Sequence, residues 1–202
     1  AYHSPLGATP ALSGISFTVN KGEFLAIVGP SGCGKSTLLS LLAGLLTPEE
    51  GSVYIGDTPL KEAHAGIGYM LQRDHLFEWR TIRENAALGL EIRHRKTKAA
   101  MKTLDEMLKN YGLAEFAEAH PSGLSGGMRQ RAALIRTLIL KPDLLLLDEP
   151  FSALDYQTRL TVCDDIATII RETKKTAILI THDLAEAIST ADRVLILSAR
   201  PG

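Results

Sequence analysis

Gly29-Pro30-Ser31-Gly32-Cys33-Gly34-Lys35-Ser36-Thr37 has the residue types and the spacing that bind phosphate. From Gly29 to Ser36 it reads as a glycine, four variable residues, then Gly-Lys-Ser. Glycines at 32 and 34 let the backbone curl until successive N–H groups point into one concavity, where phosphate oxygens bind. Lys35 is long enough to reach β- and γ-phosphates, and the Ser36 hydroxyl is a ligand for Mg²⁺. Asp148 and Glu149 follow a run of leucines, at the end of an expected buried strand, where open α/β sheets collect their ligands. The first carboxylate can hold Mg²⁺ opposite Ser36; the second can orient a water and take its proton. A third feature, Leu124-Ser125-Gly126-Gly127-Met128, opens an apolar helical run through Leu140. Ser125 is its expected N-cap, and Gly126 and Gly127 leave N–H groups accessible to a second anion. One nucleoside triphosphate does not need two such surfaces from one chain, so the second is expected to serve a nucleotide held by another copy.

These groups need a scaffold. Phe24–Val28 reads as a buried strand feeding the glycine loop, and Ser36–Ala43 as the helix whose positive end faces the phosphates. Leu144–Leu147, Ala177–Ile180 and Arg193–Leu197 are further strands, two of them unbroken apolar runs that suit a parallel sheet covered on both faces. Ile15–Val19 alternates like a half-exposed antiparallel strand, and Gly51–Gly56 and Ile67–Leu71 read as short strands. Residues from about 76 to 140 follow helical spacing, with Met101, Leu104, Leu108 and Tyr111 on one face. The expected fold is α/β: a phosphate-loop core with a mostly parallel sheet, N-terminal antiparallel strands and an inserted helical subdomain at about 76–140.

Composition sets limits on the partners. Lys plus Arg number 22 against 23 Asp plus Glu, a net charge of −1, so there is no basic excess to attract nucleic acid or an anionic membrane surface. Two cysteines, Cys33 and Cys163, make no disulfide framework and fit a reducing compartment. Cys33 sits within the phosphate loop, near the expected nucleotide, where a tolerated small residue is a better reading than a redox role. No segment reaches the ~18–20 apolar residues of a membrane span. The chain begins at Ala1 and stops at Gly202 just after a strand-like run, so one nucleotide-binding domain spanning 1–202 and trimmed at both ends is expected.

In this order, the motifs resemble those of the nucleotide-binding subunit of ATP-binding cassette (ABC) transporters, over nearly the whole chain. The resemblance implies an ATPase that binds ATP and Mg²⁺. Leu124–Met128 is then the signature sequence, which closes over the γ-phosphate held by a second copy in a head-to-tail dimer. Ser125, Gly126, Gly127 and Asp155, the last in the Ser152-Ala153-Leu154-Asp155 loop, are expected to act across that interface. Gln72 matches the glutamine that touches Mg²⁺ or water, and His182 the histidine that contacts the γ-phosphate; His182 alone of the six histidines lies at a strand end beside the expected site. Lys35, Gln72, Glu149 and His182 are thus the catalytic candidates, and Ser36, Gln72 and Asp148 the metal candidates. Tyr2 is a candidate for stacking on adenine, since ring–base stacking tolerates several placements.

The stretch His75-Leu76-Phe77-Glu78-Trp79-Arg80-Thr81-Ile82-Arg83-Glu84-Asn85 resembles the importer group that takes up nitrate, sulfonates and taurine, as does Ser198-Ala199-Arg200-Pro201-Gly202; Glu78 stands where that group usually has proline. The resemblance implies a bacterial importer subunit, peripheral on the cytoplasmic face of the membrane. Its partners would be an integral-membrane permease, whose coupling helix Phe77 and Trp79 would receive, and a periplasmic or extracellular solute-binding protein. A soluble ABC-type ATPase with no membrane partner is the alternative. Such proteins commonly carry coiled-coil inserts or two cassettes, and neither is visible in this sequence.

Overall fold

Unbroken apolar runs form strands and periodic ones form helices in the computed structural model, which describes residues 2–4, 7–63, 66–152 and 154–199, with side chains from residue 10 onward. The strands are β1 (Tyr2–Ser4), β2 (Gly7–Thr9), β3 (Phe24–Val28), β4 (Tyr54–Ile55), β5 (Thr58–Pro59), β6 (Ile67–Met70), β7 (Leu144–Asp148), β8 (Thr176–Thr181) and β9 (Arg193–Ile196). The helices are α1 (Lys35–Leu42), α2 (Ile82–Ile92), α3 (Lys98–Asn110), α4 (Gly126–Leu138), α5 (Tyr156–Glu172) and α6 (Leu184–Thr190). Two units of structure divide the chain: residues 1–69, 143–149 and 167–202 form one, and residues 70–142 and 150–166 the other.

The first unit is built on a sheet of order β6-β7-β8-β3-β9, in which β3 runs parallel to β8 and β9, and β7 parallel to β8. Successive residues of β3 serve opposite faces. Leu25 and Ile27 pack with Leu38 and Leu39 of α1, and with Leu146, Ile178 and Ile180 of the neighbouring strands. Ala26 and Val28 pack with Ala187 of α6. With both faces covered, all of β3 is buried, which is why its sequence does not alternate. β1 and β2 pair antiparallel, as do β4 and β5.

Ile15–Val19 departs from expectation. Ile15, Phe17 and Val19 rest against the core as the alternation requires, yet the segment pairs with no strand among the described residues. Alternation orients side chains, but a strand also needs a neighbour offering backbone groups in register. Here the Thr18 carbonyl accepts from the Arg193 guanidinium instead.

The second unit is helical. Thr81 caps α2 in a reciprocal box: its hydroxyl accepts from Glu84 N (3.2 Å), and the Glu84 carboxylate accepts from Thr81 N (2.9 Å). Leu104 and Leu108 are buried on α3 as the spacing predicts, with Met101 and Tyr111 half-buried. Helix begins at Ile82 rather than near Leu76, because a fully buried Asn85 holds the preceding segment in a turn. Its Oδ1 accepts from Phe77 N at 2.7 Å, and its Nδ2 donates to the carbonyls of Phe77, Arg80 and Thr81 at 3.0, 3.2 and 3.0 Å.

Candidate functional site

The end of β3 passes straight into the glycine loop, and the loop into α1. Gly34 has a φ of 106°, and a Cβ there would lie 2.5 Å from Leu12 Cδ2 and 2.7 Å from the Ala11 carbonyl. Both the left-handed backbone and the close approach therefore demand glycine. Lys35 is only 7% exposed, and its Nζ donates to the carbonyls of Gly29 (2.8 Å) and Pro30 (3.0 Å). The ammonium is thus held over the loop before any ligand arrives.

Ser31, Gly32, Gly34, Lys35, Ser36 and Thr37 line a cleft of about 580 Å³, and Ala11, Glu149 and His182 complete its lining. That volume falls in the range of small-molecule sites. Gly29, Pro30 and Cys33 belong to the loop without lining the cleft; the Cys33 thiol is buried in the core with Leu38 and Leu197.

Glu149 reaches the cleft through strand register. Asp148 of β7 stands opposite Ile180 of β8, and Glu149 N donates to the Ile180 carbonyl at 2.9 Å. Glu149 adopts a φ of 43°, a left-handed conformation unusual for a residue other than glycine and often found where function holds it. His182 follows β8 directly, and its Nδ1 lies 3.2 Å from Glu149 Oε2, so a proton on Nδ1 would be donated to the carboxylate. A carboxylate and an imidazole thus share the cleft with a fixed cation.

Asp148 is half-buried, and burial pushes its carboxyl above the usual range. A hydrogen bond from Tyr69 opposes that rise, the adjacent Glu149 carboxylate adds to it, and Lys35 opposes it. The Tyr69 hydroxyl donates to Asp148 Oδ2 at 3.3 Å, and burial, together with the Asp148 charge, pushes the phenol up to about 12. It therefore remains a donor at any ordinary pH. Sequence reasoning passed over Tyr69 and Ala11. A tyrosine in a strand carries no signal of its own, although its place two residues after the start of β6, beside β7, does once the strand order is known.

Apart from Tyr2, the remaining candidates lie in the second unit. Gln72 Nε2 donates to Ser152 Oγ at 3.3 Å. Ser125 is the N-cap of α4, accepting from Met128 N at 3.3 Å. Gly126 is half-buried, but Gly127 is buried, where accessible N–H groups were expected from both. A Cβ on Gly127 would lie 2.8 Å from Val162 Cγ2 and 3.0 Å from Thr158 Cγ2, so glycine there lets α4 approach α5. The Asp155 carboxylate accepts from Thr158 N at 3.1 Å, and hydrogen bonds from Thr158 hold it below the usual range. Arg129, one turn into α4, donates to the Leu124 carbonyl (2.9 Å) and to Asp74 Oδ2 (3.1 Å), which braces the loop before the helix. Tyr2 lies in β1, and its side chain falls outside the described residues.

Among the described residues, no cluster of three or more His, Cys, Asp or Glu side chains could hold a metal by itself. No helix among them is long and apolar enough to cross a membrane.

Known proteins resemble this chain in sequence and in fold. Residues 12–152 match the family model described as ABC transporter. An uncharacterized ABC transporter ATP-binding protein, YtlC of Bacillus subtilis, is 48% identical over 202 residues, all of this chain and 77% of that protein. The aliphatic sulfonates import ATP-binding protein SsuB of Bacillus licheniformis is 43% identical over 194 residues, 96% of this chain and 75% of that protein. Among solved structures, the dimeric post-hydrolysis state of the ATP-binding cassette MJ0796 bound to ADP and Pi superposes with a TM-score of 0.78 at 32% identity, covering 94% of this chain and 88% of that one. The shared cassette, matched from the glycine loop through the Asp148-Glu149 pair, shows that this chain belongs to the ABC transporter family, as an ATP-binding cassette with ATPase chemistry.

Proposed function

We propose that this cassette powers a bacterial importer for a small solute of the nitrate, sulfonate and taurine group, hydrolysing ATP between two copies packed head to tail. The observation that carries the ATPase chemistry is the convergence of Lys35, Ser36, Glu149 and His182 on one cleft. The sulfonate-importer relative at 43% identity, with the stretch from His75 to Asn85, supports the cargo class.

In this reading the loop N–H groups and Lys35 bind the phosphates, and Thr37 and Ser31 complete the cradle. Glu149 orients a water and takes its proton as the water oxygen bonds to the γ-phosphorus and the bond from phosphorus to the β–γ bridging oxygen breaks. His182 hydrogen-bonds a γ-phosphate oxygen and steadies the water. Ser36, Asp148 and Gln72 would hold Mg²⁺, an all-oxygen donor set suited to a hard cation, and a half-buried Asp148 carboxylate at the end of β7 fits that role. The ion supplies neutralisation of charge on the β- and γ-phosphate oxygens. Ser125, Gly126, Gly127 and Asp155 contact the nucleotide of the opposite copy, so ATP favours the closed pair through affinity for both surfaces. A dimeric relative, the MJ0796 cassette, supports this arrangement. One cassette domain spans residues 1–202, with the helical insertion at about 76–140 as its output element.

The output surface is the braced turn before α2. Trp79 is 73% exposed, its ring 4.7 Å from that of Phe77, and Asn85 fixes the backbone beneath them. An exposed tryptophan packed on a half-buried phenylalanine, on a braced turn, suits the coupling helix of a membrane permease. The protein is then peripheral on the cytoplasmic face, and a solute-binding protein outside delivers cargo to the permease.

Co-purification of the full-length protein from native membranes tests the reading, with ATPase activity measured beside it. An integral-membrane partner that is retained by wild type and lost on Trp79→Ala, while Mg²⁺-dependent ATP hydrolysis persists, is the expected result. Capture of ribosomes or nucleic acid in place of a membrane protein would overturn it.

A further inference from the structure

Glu186 is a buried carboxylate, 7% exposed, on the first turn of α6, and the hydrolysis scheme above gives it no part. A carboxylate is rarely taken out of water unless something holds it. Its Oε2 accepts from the Thr181 hydroxyl at 2.5 Å. The Thr181 oxygen in turn accepts from Asp183 N at 3.0 Å. The two residues that flank His182 are thus fastened to one another, and through Thr181 to Glu186. The fastening is anchored at both ends. Thr181 is the last residue of β8, 1% exposed and in register with Val28, the residue that leads into the glycine loop. Asp183 caps α6, accepting from Ala185 N and Glu186 N at 2.8 and 3.3 Å. The Glu186 carbonyl accepts from Thr190 Oγ1 at 2.6 Å, which ties the first turn of α6 to its last.

We infer that Glu186, acting through the Thr181 hydroxyl, is a positioning residue that fixes the backbone on both sides of His182 and so aims the imidazole into the cleft. His182 itself is exposed, with 57% of its side chain open to solvent, so beyond its contact with Glu149 Oε2 the ring has little packing to aim it. The backbone that carries the ring sets where it starts from, and the buried brace beneath holds that backbone. The inference rests on the reading that His182 contacts the γ-phosphate.

The test is steady-state ATP hydrolysis by the full-length protein carrying Glu186→Ala, Glu186→Gln, Thr181→Val or His182→Ala, and by the Glu186→Ala/His182→Ala pair. Glu186→Ala lowers kcat by about tenfold to a hundredfold, with KM for ATP nearly unchanged, as expected for a misaimed group. Glu186→Gln, whose amide oxygen can still accept from Thr181, recovers most of the rate. Thr181→Val, close to isosteric and needing no charge removed from the interior, reproduces the kcat loss if Glu186→Ala does not fold. Because Glu186 acts through His182, its removal costs nothing further in the His182→Ala background. The His182 ring resonances move in Glu186→Ala and Thr181→Val, while those of His75, His94 and His120 stay in place. A normal kcat in both Glu186→Ala and Thr181→Val, or an equal loss with and without His182, overturns the inference. A His182→Ala protein that hydrolyses ATP at the wild-type rate overturns instead the reading on which it rests.

Discussion

His182 Nδ1 and Glu149 Oε2 lie 3.2 Å apart although 33 positions separate them in the chain. Adjacent parallel strands make the meeting. β7 ends at Asp148 opposite Ile180, so the residue after one strand and the second residue beyond Ile180 emerge at the same sheet edge. The left-handed turn at Glu149, pinned by its N–H on the Ile180 carbonyl, then points the chain so that both side chains reach one cleft. The carboxylate and its companion ring are brought together by backbone register.

Tyr69 should matter for the metal and for pH. Its hydroxyl helps hold the Asp148 carboxyl down against burial. Tyr69→Phe removes that help, so the acid limb of kcat/KM moves to higher pH. Apparent affinity for Mg²⁺ should fall at least about tenfold, the usual cost of losing a partner behind a metal ligand. A pH–rate profile at several Mg²⁺ concentrations reads both effects.

Asp148 should weaken the ligand-free fold. Burial raises its carboxyl in the folded state above the usual carboxylate range, so the folded protein holds that proton more tightly than the unfolded chain. The group's favourable contribution is therefore present at low pH and is lost as pH rises through the folded-state value. Asp148→Asn should accordingly raise Tm near neutral pH, by about 2–4 °C, with nucleotide absent and Mg²⁺ chelated. The gain should vanish as pH falls to the unfolded carboxylate range. Thermal melts across pH check the sign.

Asn85 should be the keystone of the turn that carries Trp79. Asn85→Ala leaves the Phe77 N–H and three carbonyls without their buried partner and should cost about 3 kcal/mol. The denaturant midpoint should drop with the slope unchanged. Trp79 is the only tryptophan, so its fluorescence reports whether the turn loosens below that midpoint.

Much of this was legible in the residues. Phe24–Val28 announced a fully buried strand because it lacks alternation, and the glycine loop that follows needs its unusual backbone whatever lies around it. Asp148, Glu149 and His182 were readable because each closes an apolar run. Other features depend on contacts that no local pattern encodes. Gly127 read as an open helix start, but α5 lies against it. Asp183-x-x-Glu186 has the spacing of a helix capping box, in which Glu186 would reach back to Asp183 N. In the structure Thr181 takes that N–H, and Glu186 turns inward to Thr181. Tyr69 gained meaning only when β6 proved to lie beside β7.

In the proposed composite site, the α4 N-terminus of one copy closes over the nucleotide held by the glycine loop of the other. Sedimentation of full-length Glu149→Gln protein with and without ATP and Mg²⁺ tests it most directly, alongside the same protein carrying Ser125→Arg. Dimers are expected to form only with ATP and to be lost when an arginine replaces the α4 cap, with nucleotide binding to the monomer preserved. ATP-dependent dimers that persist with Ser125→Arg would contradict it, because the α4 N-terminus would then lie outside the interface.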